Sequence, residues 1–230
     1  MSESKFRTSH LSDSQFEMDG LRFITVKTNN LKGRGDICVF VPKGHESKDL
    51  PIVTLLHGVY GSAWVWSFLG GAHKTAVRMI EESLIQPMIL AMPSDGLWGD
   101  GSGYMAHDGK DFEKWIAEDV PAALVELIPE ASLDSRMFIS GLSMGGFGAL
   151  RIGSKYGSQY SGISGHSSIT EVNQMKYFVE EPLEAYRQDI RADEDALTSI
   201  LEIKSRYHHC VLIVDLKTCS SNTIEHCTAN

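Results

Sequence analysis

Residues 136–150 read Arg136-Met137-Phe138-Ile139-Ser140-Gly141-Leu142-Ser143-Met144-Gly145-Gly146-Phe147-Gly148-Ala149-Leu150, and this stretch decides the fold. An apolar run, 136 to 140, reads as a short buried strand. Small and apolar residues from Phe147 to Tyr156 read as a helix. Between them stands Gly141-Leu142-Ser143-Met144-Gly145, a G-x-S-x-G pattern in the strand–turn–helix setting that gives it meaning. A side chain lifted clear of a sheet on so tight a turn needs strained dihedrals and close backbone approach. Glycine at both flanks avoids the clash. The helix that starts there aims its free N–H groups and positive end back at the turn. Ser143 is therefore the candidate nucleophile, and the Met144 N–H a candidate donor to a developing oxyanion.

Working outward, strands alternate with helices. Residues 21 to 29 alternate apolar and polar and read as a strand, 36 to 42 as a second, with Gly33-Arg34-Gly35 as the turn between them. Residues 51 to 58 and 87 to 94 are continuous apolar runs, as in strands buried on both faces. Helical spacing marks 73 to 85 and 111 to 128, with Pro121 as an expected kink. Residues 160 to 168 fit one more strand, and 171 to 206 are polar, charged and helical in pattern. The alternation predicts an α/β fold with a doubly wound, mostly parallel sheet. A domain over 1–206 is expected, with 171–206 as a small helical cap. The acidic run 180 to 195 would be the cap's solvated face.

A second oxyanion donor is expected from the loop after an earlier strand. His57-Gly58-Val59-Tyr60-Gly61 holds that place, with the N–H of Val59, or of Tyr60, as donor and His57 as a prop for the loop.

With these pieces in order, residues 20 to 170 resemble the esterase D group of α/β-hydrolases, which includes S-formylglutathione hydrolases and tributyrin-type esterases. The resemblance is carried by LLHGVYGSAWVW, the MPSDG turn, SGLSMGGFGALRIGSKY and SGISGHSS. It implies hydrolysis of short-chain esters or thioesters through an acyl-serine, without a metal or organic cofactor. By position it assigns the nucleophile to Ser143 and the oxyanion N–H groups to Met144 and Val59. Tyr60, Trp64 and Trp98 are candidate pocket residues, with Trp66 nearby and packing roles open to all the tryptophans. An acyltransferase shares the chemistry as far as the acyl-enzyme and stays open, as does an inactive relative.

The chain departs from that pattern near its C-terminal end. In this fold the acid and then the histidine follow the nucleophile in sequence. The segment SRYHHCVLIVDLKTCSSNTIEHCTAN offers Asp215 and His226, too close together for the helix, strand and loop that should part them. Read from the third base of each codon, Tyr207 onward can give PPLRLDCGFEDLLIEHNRALHR, which resembles the family's acid-bearing segment. A one-base shift near codon 206 is the reading adopted. It makes 207–230 an aberrant tail, removes the final strand and helix, and predicts feeble activity. Val211 to Val214 remain apolar enough to fill a strand slot. The tail's Cys210, Cys219, His226 and Cys227 match no common zinc spacing, and no metal is expected.

Composition bounds the rest. The chain has 230 residues, 42% of them apolar, and a formal charge of −9. One domain suits the length. The acidic balance argues against nucleic acid. No run suits a membrane span or a signal peptide, so a cytoplasmic location is expected, with homo-oligomerisation open. Cys38 reads as a buried strand residue. His166 reads as packed and hydrogen-bonded, and His107-Asp108 as a solvated loop.

Overall fold

The computed structural model describes residues 4–45 and 47–186, together with the backbone strand 211–215. In chain order the strands are β1 (Thr8–Leu11), β2 (Leu21–Thr28), β3 (Gly33–Phe40), β4 (Ile52–Leu56), β5 (Ile89–Pro93), β6 (Ala106–His107), β7 (Lys110–Asp111), β8 (Met137–Leu142), β9 (Tyr160–His166) and β10 (Val211–Asp215). The helices are α1 (Ala72–Glu81), α2 (Phe112–Lys114), α3 (Val120–Leu127), α4 (Met144–Lys155) and α5 (Leu183–Tyr186).

Eight strands form one sheet in the order β1-β2-β3-β5-β4-β8-β9-β10, with β6 and β7 a separate ribbon. The pairs from β1 through β5 at one side are antiparallel. From β5 through β4, β8 and β9 to β10 all pairs are parallel. Parallel pairing requires crossovers, so both faces are covered. β5 is accordingly buried at all five positions. On one face α1 packs Ala76, Val77 and Ile80 against Cys38, Phe40 and Met92. On the other, α3 and α4 bury Val120, Leu124, Phe147 and Leu150 against Ile52, Leu56 and Ile139. This is the α/β-hydrolase architecture, and it brings the C-terminal ends of β4, β5 and β8 to one edge.

The sequence reading is corrected in several places. Gly33-Arg34-Gly35 is not the turn but the start of β3, paired with Val26 to Thr28. The reversal lies at 29–32, where Lys32 takes φ +49°. Gly35 is required for packing instead: a Cβ there would stand 2.6 Å from the Trp115 ring. Pro121 does not kink its helix. A π-helical turn, Trp115–Asp119, precedes it, and Pro121 falls in the first turn of α3, where its missing N–H costs nothing. α1 ends at Glu81, short of 85. α4 begins at Met144 rather than Phe147, so the nucleophile motif runs directly into the helix.

Cys38 is buried, its thiol 3.3 Å from the Ser67 hydroxyl. Burial pushes its pKa up, which keeps it a thiol. Of the segment read as a cap, 171–186 is described: a 3₁₀ turn, Val172–Tyr177, and α5. Residues 187–210 and 216–230 lie outside the described residues. β10 continues the sheet past residue 206, as the apolar run at 211 to 214 allowed. Among the described residues, no helix is long and apolar enough to cross a membrane.

Candidate active site

β8 delivers the chain to Ser143 at the sheet edge, and α4 leaves directly from it. Ser143 has φ +56° and ψ −118°, a left-handed conformation that costs a non-glycine residue about 1–3 kcal/mol. Its neighbours hold it there. The Ser143 N–H donates to the His166 carbonyl at the end of β9 (2.9 Å), and the Ser143 carbonyl accepts from Phe147 N–H (3.1 Å). The glycines are needed for closeness. A Cβ on Gly141 would lie 2.0 Å from the Gly145 oxygen, and one on Gly145 would lie 2.2 Å from the Leu56 oxygen. Although Ser143 occupies the N-cap of α4, its side chain makes no cap hydrogen bond. Its hydroxyl is thus not spent on the helix, and the residue is half-buried at the edge of the sheet.

The loop after β4 runs beside this turn, the place of a Gly58 Cβ being 3.5 Å from the Ser143 Cβ. His57 anchors it from within. Its Nδ1 lies 2.7 Å from the Gly58 carbonyl, while Nε2 faces the Asp95 N–H at 3.1 Å. An N–H can only donate, so Nε2 accepts and the ring proton sits on Nδ1. Both nitrogens are thereby engaged and the ring is buried, so His57 is a prop, with no free nitrogen to take a proton from Ser143. Gly61 packs on it: a Cβ there would stand 2.5 Å from Nδ1. The Tyr104 hydroxyl donates to the His57 carbonyl at 2.9 Å.

The two residues whose N–H groups are named for the oxyanion meet through their side chains. The place of a Gly101 Cβ is 2.4 Å from Met144 Sδ and 3.5 Å from Val59 Cγ1, so both side chains close on one glycine. Tyr60, at φ +61°, donates its N–H to the Asp100 carbonyl at 2.7 Å. That amide is therefore committed, whereas the Val59 N–H meets no acceptor among the described residues. The Met144 N–H, in the first turn of α4, has no intrahelical acceptor.

Around this centre the named aromatics separate. Tyr60 and Trp64 are exposed, by 70% and 48%. Trp98 is half-buried and packs edge-on against His107 (4.5 Å) and Tyr186 (5.2 Å). Trp66 packs against the Cys38 and Phe40 cluster on the α1 face. Two histidine readings are reversed. His107 is buried, not solvated: its Nε2 lies 2.9 Å from the Ser102 carbonyl, among Trp98, Phe112 and Tyr186. His166 is exposed rather than packed, and its backbone carbonyl is what contacts the elbow.

Residues the sequence reading passed over hold the loop 94–105 together. Asp95 is buried and accepts from the N–H groups of Leu97 (2.9 Å) and Ser102 (2.6 Å). The Ser102 hydroxyl returns a bond to the Asp95 carbonyl (2.8 Å). The Asp-Gly pair within MPSDG was the available signal, since Gly96 takes φ +98°.

Burial pulls the pKa of His57 down against the opposing charge of Asp95. For His107, burial likewise outweighs its Ser102 bond and Asp95. A folded-state pKa below the ordinary value of about 6.5 means the unfolded chain takes up protons first as pH falls. Stability is then complete above about pH 7 and declines as pH drops through about 6.5. Urea midpoints measured from pH 5 to 8 should show that slope, and a flat profile would contradict it.

Residues 28–211 match the esterase family, so the chain belongs to that family. Among curated proteins it is similar to an acetyl esterase of Caldicellulosiruptor saccharolyticus, 33% identical over 137 residues. That match covers 58% of this chain and 47% of the relative, so the chain spans about half that protein's length. Among solved structures it is similar to an S-formylglutathione hydrolase from Staphylococcus aureus (TM-score 0.66, 14% identity, 89% of this chain and 79% of that one). It is also similar to a fluorophosphonate-binding serine hydrolase of the same organism (TM-score 0.65, 18% identity, 84% and 76%). At these identities the solved structures speak for the fold alone.

Proposed function

We propose that this protein is a serine hydrolase that cleaves short-chain carboxylic esters or thioesters through an acyl-serine. The observation that carries the reading is Ser143 itself, held at φ +56° between β8 and α4 with a hydroxyl the helix does not use. In the reaction, Ser143 Oγ attacks the acyl carbon while its proton passes to a base. The carbonyl oxygen becomes an oxyanion, which accepts from the Met144 and Val59 N–H groups. The alcohol or thiol leaves with a proton, and water releases the acid by the same route. Each oxyanion donor is worth roughly 10²–10³ in rate. Exposed Tyr60 and Trp64 stand at the rim, and Trp98 lies behind it; these line the acyl or alcohol side. Labelling the protein, its frame restored after residue 206, with a fluorophosphonate tests the reading: a folded, restored chain with no adduct on Ser143 refutes it.

The base and its acid belong to sequence after residue 206, where the chain leaves the family's pattern. The reading-frame shift supports impaired activity in the chain as written, because missing triad members cost about 10⁴–10⁶-fold in rate. Resequencing the gene across codons 200 to 230 is expected to reveal the displaced acid-bearing segment, and an intact frame would end that account.

A further inference from the structure

We infer that Glu181 is a positioning residue, which sets the oxyanion loop from across the site. The inference rests on the reading of the Val59 N–H as an oxyanion donor. The connection is a continuous chain of bonds. Glu181 Oε1 accepts from the Asp100 N–H at 2.9 Å. The next backbone N–H along, that of Glu180, donates to Asp100 Oδ2 at 2.8 Å. Asp100 is thus gripped at its amide and its carboxylate by two consecutive residues. Its carbonyl, the remaining polar group, accepts the Tyr60 N–H at 2.7 Å. Tyr60 closes the ring from its other end, since its hydroxyl donates to the Phe178 carbonyl.

Each element in that ring is specific to the geometry. Gly99 takes φ +53°, and a Cβ on it would lie 2.0 Å from Glu181 Oε1, so the carboxylate occupies room that only glycine leaves. Tyr60 is held at φ +61°, a conformation an exposed tyrosine does not choose unaided. Pinning Tyr60 at φ +61° holds the peptide plane that joins it to Val59, whose own N–H lies one peptide earlier on the same loop. A second contact steadies the anchor: the Tyr186 hydroxyl faces Glu181 Oε2 at 3.4 Å, and Tyr186 is buried against Trp98. The segment 178–186 therefore acts on the reaction through Asp100 and Tyr60 and touches no reacting atom itself.

The experiment compares the full chain, its frame restored after residue 206, with Glu181→Ala, Glu181→Gln and Glu184→Ala in that chain, the last a neighbouring exposed carboxylate on α5. Two readouts are taken: amide exchange at Tyr60, and the second-order rate of fluorophosphonate labelling at Ser143. Glu181→Ala should speed Tyr60 exchange about tenfold or more while exchange in β8 stays unchanged. The same variant should slow labelling about tenfold, a part of one oxyanion donor's worth. Glutamine keeps the acceptor oxygen, so Glu181→Gln should restore both to within about twofold, and Glu184→Ala should move neither. The inference is overturned if Glu181→Ala leaves Tyr60 exchange unchanged, if labelling keeps its rate while exchange rises, or if glutamine fails to rescue. A frame-restored parent chain unlabelled at Ser143 defeats the serine-hydrolase reading instead, and the exchange readout still decides whether Glu181 holds the loop.

Discussion

Replacing Ser143 with alanine is expected to abolish fluorophosphonate labelling and, in a chain with its frame restored after residue 206, to lower ester hydrolysis about 10⁴–10⁶-fold. The size follows from what the substitution removes. Without Oγ no acyl-enzyme forms, and only uncovalent help from the oxyanion donors and binding remains. Folding should not suffer. The hydroxyl caps nothing, and alanine occupies the same strained turn with a Cβ already accommodated there. Hydrolysis of a short-chain p-nitrophenyl ester, with thermal unfolding as control, measures both. A variant that kept its rate would show that another group carries the attack and would remove the basis of the proposed function.

Replacing Glu113 with alanine is expected to give the largest stability loss, about 3–5 kcal/mol, or roughly 10 °C in unfolding midpoint. Glu113 is buried under α4 and holds Arg151 Nη1 at 2.6 Å, Lys155 Nζ at 2.9 Å and the Tyr156 hydroxyl at 2.9 Å. Arg151 is itself buried, and its Nη2 donates to the Tyr104 carbonyl at 2.8 Å. Removing the carboxylate takes from that buried guanidinium the counter-charge it holds at 2.6 Å. Burial pushes the Glu113 pKa up, but Arg151, Lys155 and Tyr156 together bring it below the ordinary carboxylate value. Its contribution is therefore complete above about pH 4.5 and lost as pH falls through the lower, folded value. Denaturation of the variant should accordingly show less acid sensitivity below pH 4.5 than the parent. A loss under about 1 kcal/mol would mean that Arg151 finds another partner, contrary to the packing around it.

What the sequence disclosed was the part governed by local rules. The turn at Ser143 could be read because glycine spacing, a strand before and a helix after are all adjacent in the chain. β4 and β5 could be read because a strand inside a parallel sheet is a run of apolar residues. β1 escaped because Thr8 to Leu11 is half exposed and pairs only with β2, so its composition carries little trace of the partner. The turn at 29–32 was misplaced because glycine was taken as a turn marker, whereas Gly35 is small to admit Trp115, a contact about eighty positions distant in sequence. His107 and His166 exchanged their expected surroundings for the same reason. Burial of a lone histidine depends on which helices reach it, and in this fold Trp98 and Tyr186 reach one and not the other. The grip of Glu181 on Asp100 joins segments that no local pattern connects.

The glycine contacts of the elbow divide the site into two materials. Gly141, Gly145 and the Leu56 carbonyl leave no room for a single added methyl, so the floor is closed to alteration. The residues proposed for the rim are in solvent: Tyr60 and Trp64 are 70% and 48% exposed, and Leu142, which precedes Ser143, is 42% exposed. Substitutions at such positions usually change stability by no more than about 0.5 kcal/mol. A library aimed at new acyl or alcohol groups should therefore be built on Trp64 and Leu142, where variety is cheap, and should leave the glycines alone.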